Sequence, residues 1–254
     1  MRIQILILGL VLFLSFNMCG QEKGAEYEQP LNILVFSKTA GFRHASISSG
    51  LKMLYDLSKD QKWIITATED PSFFNEEILP KFDIAIFLSP TGDALNESQQ
   101  AAFEKFMNEG KGFVGIHAAA DFEYEWPYYG KLVGAWFKTH PPAQEATVIF
   151  ESFDHPAMKP FEGRKSYTTH DEWYSFKKNP RDNVNVLARL DESTVTKYKN
   201  DNWRMEDHPV IWWQDKDGVR SFYTVFGHTH EAFQDENVIE HIKNAVNWAG
   251  RRID

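Results

Sequence analysis

From Leu31 to His117 the chain alternates short apolar runs with longer amphipathic segments, and this rhythm narrows the fold more than any other feature. LNILVF (31–36), WIITAT (63–68), FDIAIFL (82–88) and GFVGIH (112–117) are short and rich in strand formers. Between them, Ile47, Leu51, Leu54, Tyr55 and Leu57 recur at near-helical spacing over 46–59, and SFFNEEIL (72–79) reads as a short helix. A second full helix is expected over 95–110, with Asn96 as candidate cap and Gly110 as its stop. Apolar strands separated by helices predict an α/β fold with a mainly parallel central sheet covered on both faces. ATVIFE (146–151), VNVLARL (184–190), PVIWWQ (209–214) and RSFYTVFG (220–227) read as further strands, and VIEHIKNAVNWAG (238–250) as a closing helix. With no internal repeat and no dividing break, residues 31–250 read as one domain.

The first twenty residues follow another logic. Met1-Arg2 places one positive charge before an apolar run from Ile3 to Phe16, and the chain turns polar at Gln21-Glu22-Lys23. That is the layout of a secretory signal peptide, too short for a comfortable membrane span. Residues 21–30 then form a polar linker ending at Pro30. The expectation is an exported protein, periplasmic or anchored to the cell envelope by lipid. Cys19, the only cysteine, leaves two readings open: lipidation of Cys19, or cleavage after Gly20. In either case the folded domain has no disulfide and no cysteine nucleophile.

The net charge of -9, without a long basic run, argues against a nucleic-acid or anionic-membrane partner. It suits a neutral or polar small-molecule ligand. Aromatic residues make up 15% of the chain, a surplus that fits either a large core or a carbohydrate pocket with flat ring faces.

In open parallel sheets, ligands bind beyond the carboxyl ends of the strands. Three such ends lead into polar or small segments: Ser37 to His44, Ser89 to Asp93, and His117 to Asp121. His44 and His117 are therefore expected to face one crevice, and His228, after the 220–227 strand, could join them. Three imidazoles, or two with Asp171 or Glu172, would suit a divalent metal such as zinc. The alternative is metal-free acid–base work by His117 with one of those carboxylates. Asp171-Glu172-Trp173-Tyr174 sets two carboxylates, which can bind sugar hydroxyls, beside two rings that can pack on a pyranose. Arg43 could bind an anionic group or polarise a carbonyl. No Gly-rich dinucleotide fingerprint follows the first strand, which argues against a tightly bound nicotinamide.

Gly112-Phe113-Val114-Gly115-Ile116-His117-Ala118-Ala119 resembles the strand–turn–helix elbow of class I glutamine amidotransferases, where the residue leaving the strand is a nucleophilic cysteine. Here that residue is His117. Imidazole replaces thiolate poorly in forming a thioester, so glutamine amidotransferase activity is not expected. Over residues 31–250 the chain resembles the trehalose-utilisation (ThuA-like) family. The motifs are Thr39-Ala40-Gly41-Phe42-Arg43-His44, Gly115-Ile116-His117-Ala118-Ala119, Gly134-Ala135-Trp136-Phe137 with His140, Asp154-His155-Pro156, Asp171-Glu172-Trp173-Tyr174, His208-Pro209-Val210 with Trp212, and Phe222-Tyr223-Thr224 with Gly227-His228. The resemblance implies a flavodoxin-like, glutamine amidotransferase-like sheet. It also implies a place in the metabolism of trehalose, other disaccharides or 3-keto-sugars, with a sugar 3-dehydrogenase as a partner in the same pathway.

The residues then take provisional roles. His117, Asp171 and Glu172 are the catalytic candidates. Arg43, His44, Trp173, Tyr174 and His228 are the substrate-binding candidates, and His44, His117 and His228 the metal candidates. The reaction expected is hydration, isomerisation or hydrolysis of a sugar or keto-sugar near its carbonyl. The competing class is a non-catalytic sugar-binding or scaffold protein on the same fold. Geometry separates them: an enzyme needs His44, His117 and a carboxylate converging on one point.

Overall fold

The computed structural model describes residues 29–254; the export segment, Cys19 and most of the 21–30 linker lie outside the described residues. The first four strands are β1 (Leu31–Phe36), β2 (Trp63–Thr68), β3 (Ile84–Leu88) and β4 (Gly112–Ile116). Together with β11 (Val219–Thr224) they form the parallel half of a nine-stranded sheet in the order β2-β1-β3-β4-β11. The sheet continues antiparallel through β10 (Pro209–Lys216), β9 (Asn185–Asp191), β6 (Gln144–Phe150) and β7 (Ser166–Asp171). The α/β class with a mainly parallel core sheet is what the strand rhythm requires.

The helices are α1 (Ile47–Gln61), α2 (Glu97–Asn108), α3 (Pro127–Val133) and α4 (Glu236–Ala249). Side-chain alternation along β3 and β4 sorts them onto two faces. On one face, a Cβ on Gly50 of α1 would lie 2.8 Å from Leu88, and one on Gly112 would lie 2.4 Å from the Ala249 carbonyl of α4. On the other face, Phe87 and Phe113 pack against Phe103 of α2 and Tyr129 of α3. Asn96 caps α2 through a full capping box with Gln99. Among the described residues no helix is long and apolar enough to cross a membrane.

The segment 72–79 departs from expectation. It is two 3-10 turns, Pro71–Phe73 and Leu79–Lys81, rather than a helix. Asp70 caps the first turn, and Asn75 breaks the run by accepting from the Glu77 and Ile78 amides through its side chain. At Asp154-His155-Pro156 the cap before the 3-10 turn Pro156–Phe161 is His155, whose Nδ1 accepts from the Ala157 amide at 3.1 Å. Two short strands, β5 (Phe137–Thr139) and β8 (Ser175–Phe176), pair apart from the main sheet.

Candidate metal centre

Parallel strands deliver their carboxyl ends to one edge of a sheet. The loops after β1, β4 and β11 carry His44, His117 and His228 respectively. Three antiparallel steps separate β11 from β9's neighbour β6, and a fourth returns β7 to the direction of β11. Its end, Asp171-Glu172, therefore reaches the same edge.

His117 opens a 3-10 turn, His117–Ala120, directly from β4, and it does so at φ 51. Such a conformation is uncommon without glycine, and neighbours must hold it. The Tyr223 hydroxyl donates to the His117 carbonyl at 2.9 Å, and the Tyr129 hydroxyl to the Ala119 carbonyl at 2.6 Å. Gly115 accommodates the turn: a Cβ there would come within 3.2 Å of Ala119. His117 Nδ1 lies 2.8 Å from the Val225 carbonyl, which can only accept. Nδ1 therefore carries the proton, and Nε2 presents a lone pair to the crevice.

Asp171 builds the opposite wall. Its carboxylate accepts from the amides of Gly227 (2.9 Å), His228 (3.0 Å) and Glu172 (2.8 Å). Ser46 closes the same turn by donating to the Gly227 carbonyl at 2.7 Å. Burial pushes the Asp171 carboxyl upward, against the field of His117 and the three amides. Asp171 is thus placed to orient His228 and Glu172.

These supports bring together His44, His117, Glu172 and His228. One ligand-capable atom from each lies within 4.8 Å of all the others. Glu172 Oε2 is 3.5 Å from His117 Nε2 and 3.1 Å from His228 Nδ1, and its Oε1 is 3.0 Å from His140 Nδ1. Burial alone would raise the Glu172 carboxyl. The surrounding imidazoles of His117, His140 and His228 outweigh it and hold the group well below the usual carboxylate range. Burial, reinforced by His117 and His228, lowers His44 to about 3, which leaves it a neutral ligand at ordinary pH.

His44 Nδ1, His117 Nε2 and His228 Nδ1 are all buried and none makes a well-aligned hydrogen bond; the last two meet only Glu172 Oε2, at 3.5 and 3.1 Å. Protonating His228 or His140 would balance the Glu172 charge but leave the other two nitrogens unsatisfied. A divalent cation satisfies all three together with Glu172. Three neutral imidazoles and one carboxylate suit zinc or a similar first-row ion. The residues present therefore fit a metal.

The other sequence candidates fall elsewhere. Trp173 is fully buried, and its Nε1 donates to the Gln144 carbonyl. Tyr174 is buried against the His117 ring at 4.4 Å, so it supports that imidazole from beneath. Arg43 points outward into a 2.6 Å ion pair with Glu69. Three neighbours of the centre were given no role by the sequence, although Phe42 and His140 fall within its motifs. His140 touches Glu172, Phe42 is 67% exposed with its ring 4.9 Å from that of His44, and Asp121 accepts from the Tyr124 hydroxyl. Burial raises the Asp121 carboxyl. Only the position of Asp121, one residue beyond the elbow turn, could have suggested it.

Residues 32–249 match the family model described as ThuA, trehalose utilisation. The fold is similar to that of a ThuA-like protein from Bacteroides uniformis (24% identity, TM-score 0.74, covering 89% of this chain and 94% of that one). A ThuA-like protein from Parabacteroides merdae is also similar (17% identity, TM-score 0.69, 87% and 90%). So is the glutaminase domain of a Trypanosoma brucei CTPS (8% identity, TM-score 0.53, 88% and 95%), which shares the fold alone. No relative was found among curated proteins.

Proposed function

This chain belongs to the ThuA trehalose-utilisation family, and on that premise we propose that it is an exported, metal-assisted enzyme acting on a sugar or keto-sugar by proton transfer beside a carbonyl. The observation that carries the reading is the set of three buried imidazole nitrogens, none in a well-aligned hydrogen bond, gathered round the Glu172 carboxylate. Convergence of His44, His117 and a carboxylate also favours an enzyme over a non-catalytic binder, which has no need to isolate such a group of atoms.

His44, His117, Glu172 and His228 would hold the ion. A divalent ion there supplies Lewis acidity toward the carbonyl and hydroxyl oxygens of a bound sugar. The protein's own groups then move the protons. His140 lies half-exposed on the open side of Glu172. In the metal-free centre the hydrogen bond and charge of Glu172 outweigh burial and raise this imidazole, and from this position His140 would act as proton donor to a bound sugar. Asp121 is raised by burial and accepts a hydrogen bond from Tyr124, which suits a base that must take up a proton from carbon or water. Together they give one donor and one acceptor for hydration, isomerisation or hydrolysis. Residues 1–20 would carry the protein out of the cytoplasm, and a separate sugar 3-dehydrogenase would supply any keto-sugar.

The test measures bound metal by mass spectrometry in the purified protein and in Glu172→Gln. It then follows trehalose, other glucosides and their 3-keto derivatives with and without chelator. About one ion per chain, lost in Glu172→Gln, with chelator-sensitive turnover is the expected result. A metal-free protein with undiminished turnover would overturn the metal assignment, and no turnover on any of these sugars would overturn the enzyme reading.

A further inference from the structure

Of the three strand-end segments that lead into small or polar residues, those after β1 and β4 carry His44 and His117. The segment after β3, beginning at Ser89, contributes none of the four ligands of the centre. Its hydrogen bonds show what it does instead. Thr91 is fully buried and tied to the loop that carries His44. Its amide donates to the Lys38 carbonyl at 3.2 Å, and its carbonyl accepts from the amides of Ala40 (2.7 Å) and Gly41 (3.3 Å). Its hydroxyl donates to the Phe42 carbonyl at 2.8 Å. The two loops lie so close that a Cβ on Gly92 would come within 3.0 Å of the Gly41 amide nitrogen.

On its other side the same segment is bound to the chain that follows the elbow. The Gly92 amide donates to the Asp121 carbonyl at 2.9 Å, and the Tyr124 amide donates to the Asp93 carboxylate at 3.1 Å. The buried Glu123 carboxylate accepts from the amides of Ala94 and Leu95, each at 2.8 Å. The β3 loop is therefore a bridge that fastens the His44 loop to the turn opened by His117.

His44 depends on such a bridge more than the other ligands do. A histidine ligand is ordinarily aimed by a hydrogen bond from its second ring nitrogen. The Val225 carbonyl does this for His117, and Asp171 holds the backbone amides of Glu172 and His228. No hydrogen bond reaches the His44 ring among the described residues, and its Nδ1 is buried without a partner. Ring packing against Phe42, His117 and His228, at centroid distances of 4.9, 4.9 and 5.3 Å, leaves the backbone to set its place. Two residues after His44 the Ser46 hydroxyl is fixed to the Gly227 carbonyl at 2.7 Å. Two residues before it stands Phe42, whose carbonyl is held by Thr91.

We propose that Thr91 is a positioning residue of the metal centre: by holding the Phe42 carbonyl, its hydroxyl sets the place of His44 among the four ligands. The inference rests on the metal reading above. It adds that a residue outside the ligand set governs metal affinity, and does so through one ligand.

The experiment measures zinc affinity by competition with a chromogenic chelator, in the natural protein, Thr91→Val, His44→Ala and the double variant. Thr91→Val keeps a similar shape but has no hydroxyl to donate. It should bind zinc about tenfold more weakly, while Thr91→Ser, which keeps the hydroxyl, should bind as the natural protein does. In the His44→Ala background Thr91→Val should lose nothing further, because the ligand through which it acts is gone. An unchanged affinity in Thr91→Val, a Thr91→Ser as weak as Thr91→Val, or an equal loss in both backgrounds would overturn the role and leave the metal reading standing. Should Thr91→Val not fold, the same cycle is run with Gly41→Ala, whose Cβ would press within 3.3 Å of the same hydroxyl from the exposed tip of the loop. A loss that vanishes without His44 supports the role; no loss, or one that persists, overturns it. A natural protein that binds no zinc would overturn the metal reading and this role with it.

Discussion

At the scale of single residues, Asp171 and Glu172 are neighbours with opposite duties. Successive side chains leave an extended backbone on opposite sides, so one carboxylate meets backbone amides while the other meets imidazoles. Asp171→Asn tests the division. The amide keeps one oxygen for the His228 and Glu172 amides but turns an N–H toward the Gly227 amide, which also donates. Leaving such a buried donor unmatched costs about 1–3 kcal/mol. The expected outcome is a melting temperature lowered by several degrees, with bound metal reduced but recoverable at high metal concentration. Glu172→Gln should behave differently: it removes a ligand together with a carboxylate that the surrounding imidazoles stabilise, so the melting temperature of the metal-free protein should also fall, and metal should stay lost at high concentration, leaving the transition insensitive to chelator. Calorimetry with and without chelator distinguishes the two.

At the scale of elements, the site is made by turns that follow strands, and turns differ in how openly they announce themselves. The β1, β3 and β4 ends were legible because continuous apolar runs stop abruptly at small or polar residues. β7 was not. Its sequence, SYTTHD, is polar on both sides because it closes the edge of the sheet, and its inward positions are Tyr167, Thr169 and the buried Asp171 rather than aliphatics. Without that strand, nothing in the chain says that Glu172 arrives at the edge reached by His117. The same gap hid β5 and α3, which are too short to establish a period. Asp171 and Glu172 could be named as carboxylates, but their separate orientations depend on pairings distant in sequence. The turn after β11 depends on Gly227, at φ 127, where a Cβ would lie 2.9 Å from the Phe233 ring. Gly227→Ala should therefore cost roughly 1–3 kcal/mol in backbone strain alone. Because this turn carries His228, its metal affinity should drop by more than that of a core variant destabilised equally. Equal losses in both would mean that the turn does not position the ligand.

At the scale of the whole molecule, the face opposite the phenylalanine cluster is fastened by two buried histidines that have no part in the metal centre. His241 of α4 pairs its Nδ1 with the Ala157 carbonyl at 2.8 Å and its Nε2 with the Thr224 hydroxyl at 3.2 Å. His155 caps the 156–161 turn and packs its ring against Phe222 and Trp248. Burial lowers His155 to about 3, helped by His241 and Arg220, and lowers His241 to about 4. Both are neutral in the folded protein, whereas in the unfolded chain they titrate near 6.5. Between those values the unfolded chain binds more protons, so stability is fully present above about pH 6.5 and falls as pH falls, levelling off only below the folded values. Each histidine contributes a slope of about 1.4 kcal/mol per pH unit inside its window. Urea unfolding monitored from pH 7.5 to 5 should show this decline well above the range in which ordinary carboxylates titrate. His155→Phe keeps a ring against Phe222 and Trp248 but gives up the cap, so it should start about 1 kcal/mol lower at pH 7.5. It should then lose stability less steeply on acidification, by about one histidine's slope. An unchanged slope would mean that His155 is not held neutral, and that acid acts on this fold through other groups. For a protein proposed to work outside the cytoplasm, the sign matters: mild acidification would loosen α4 from the sheet while the Glu172 carboxylate of the centre is still ionised.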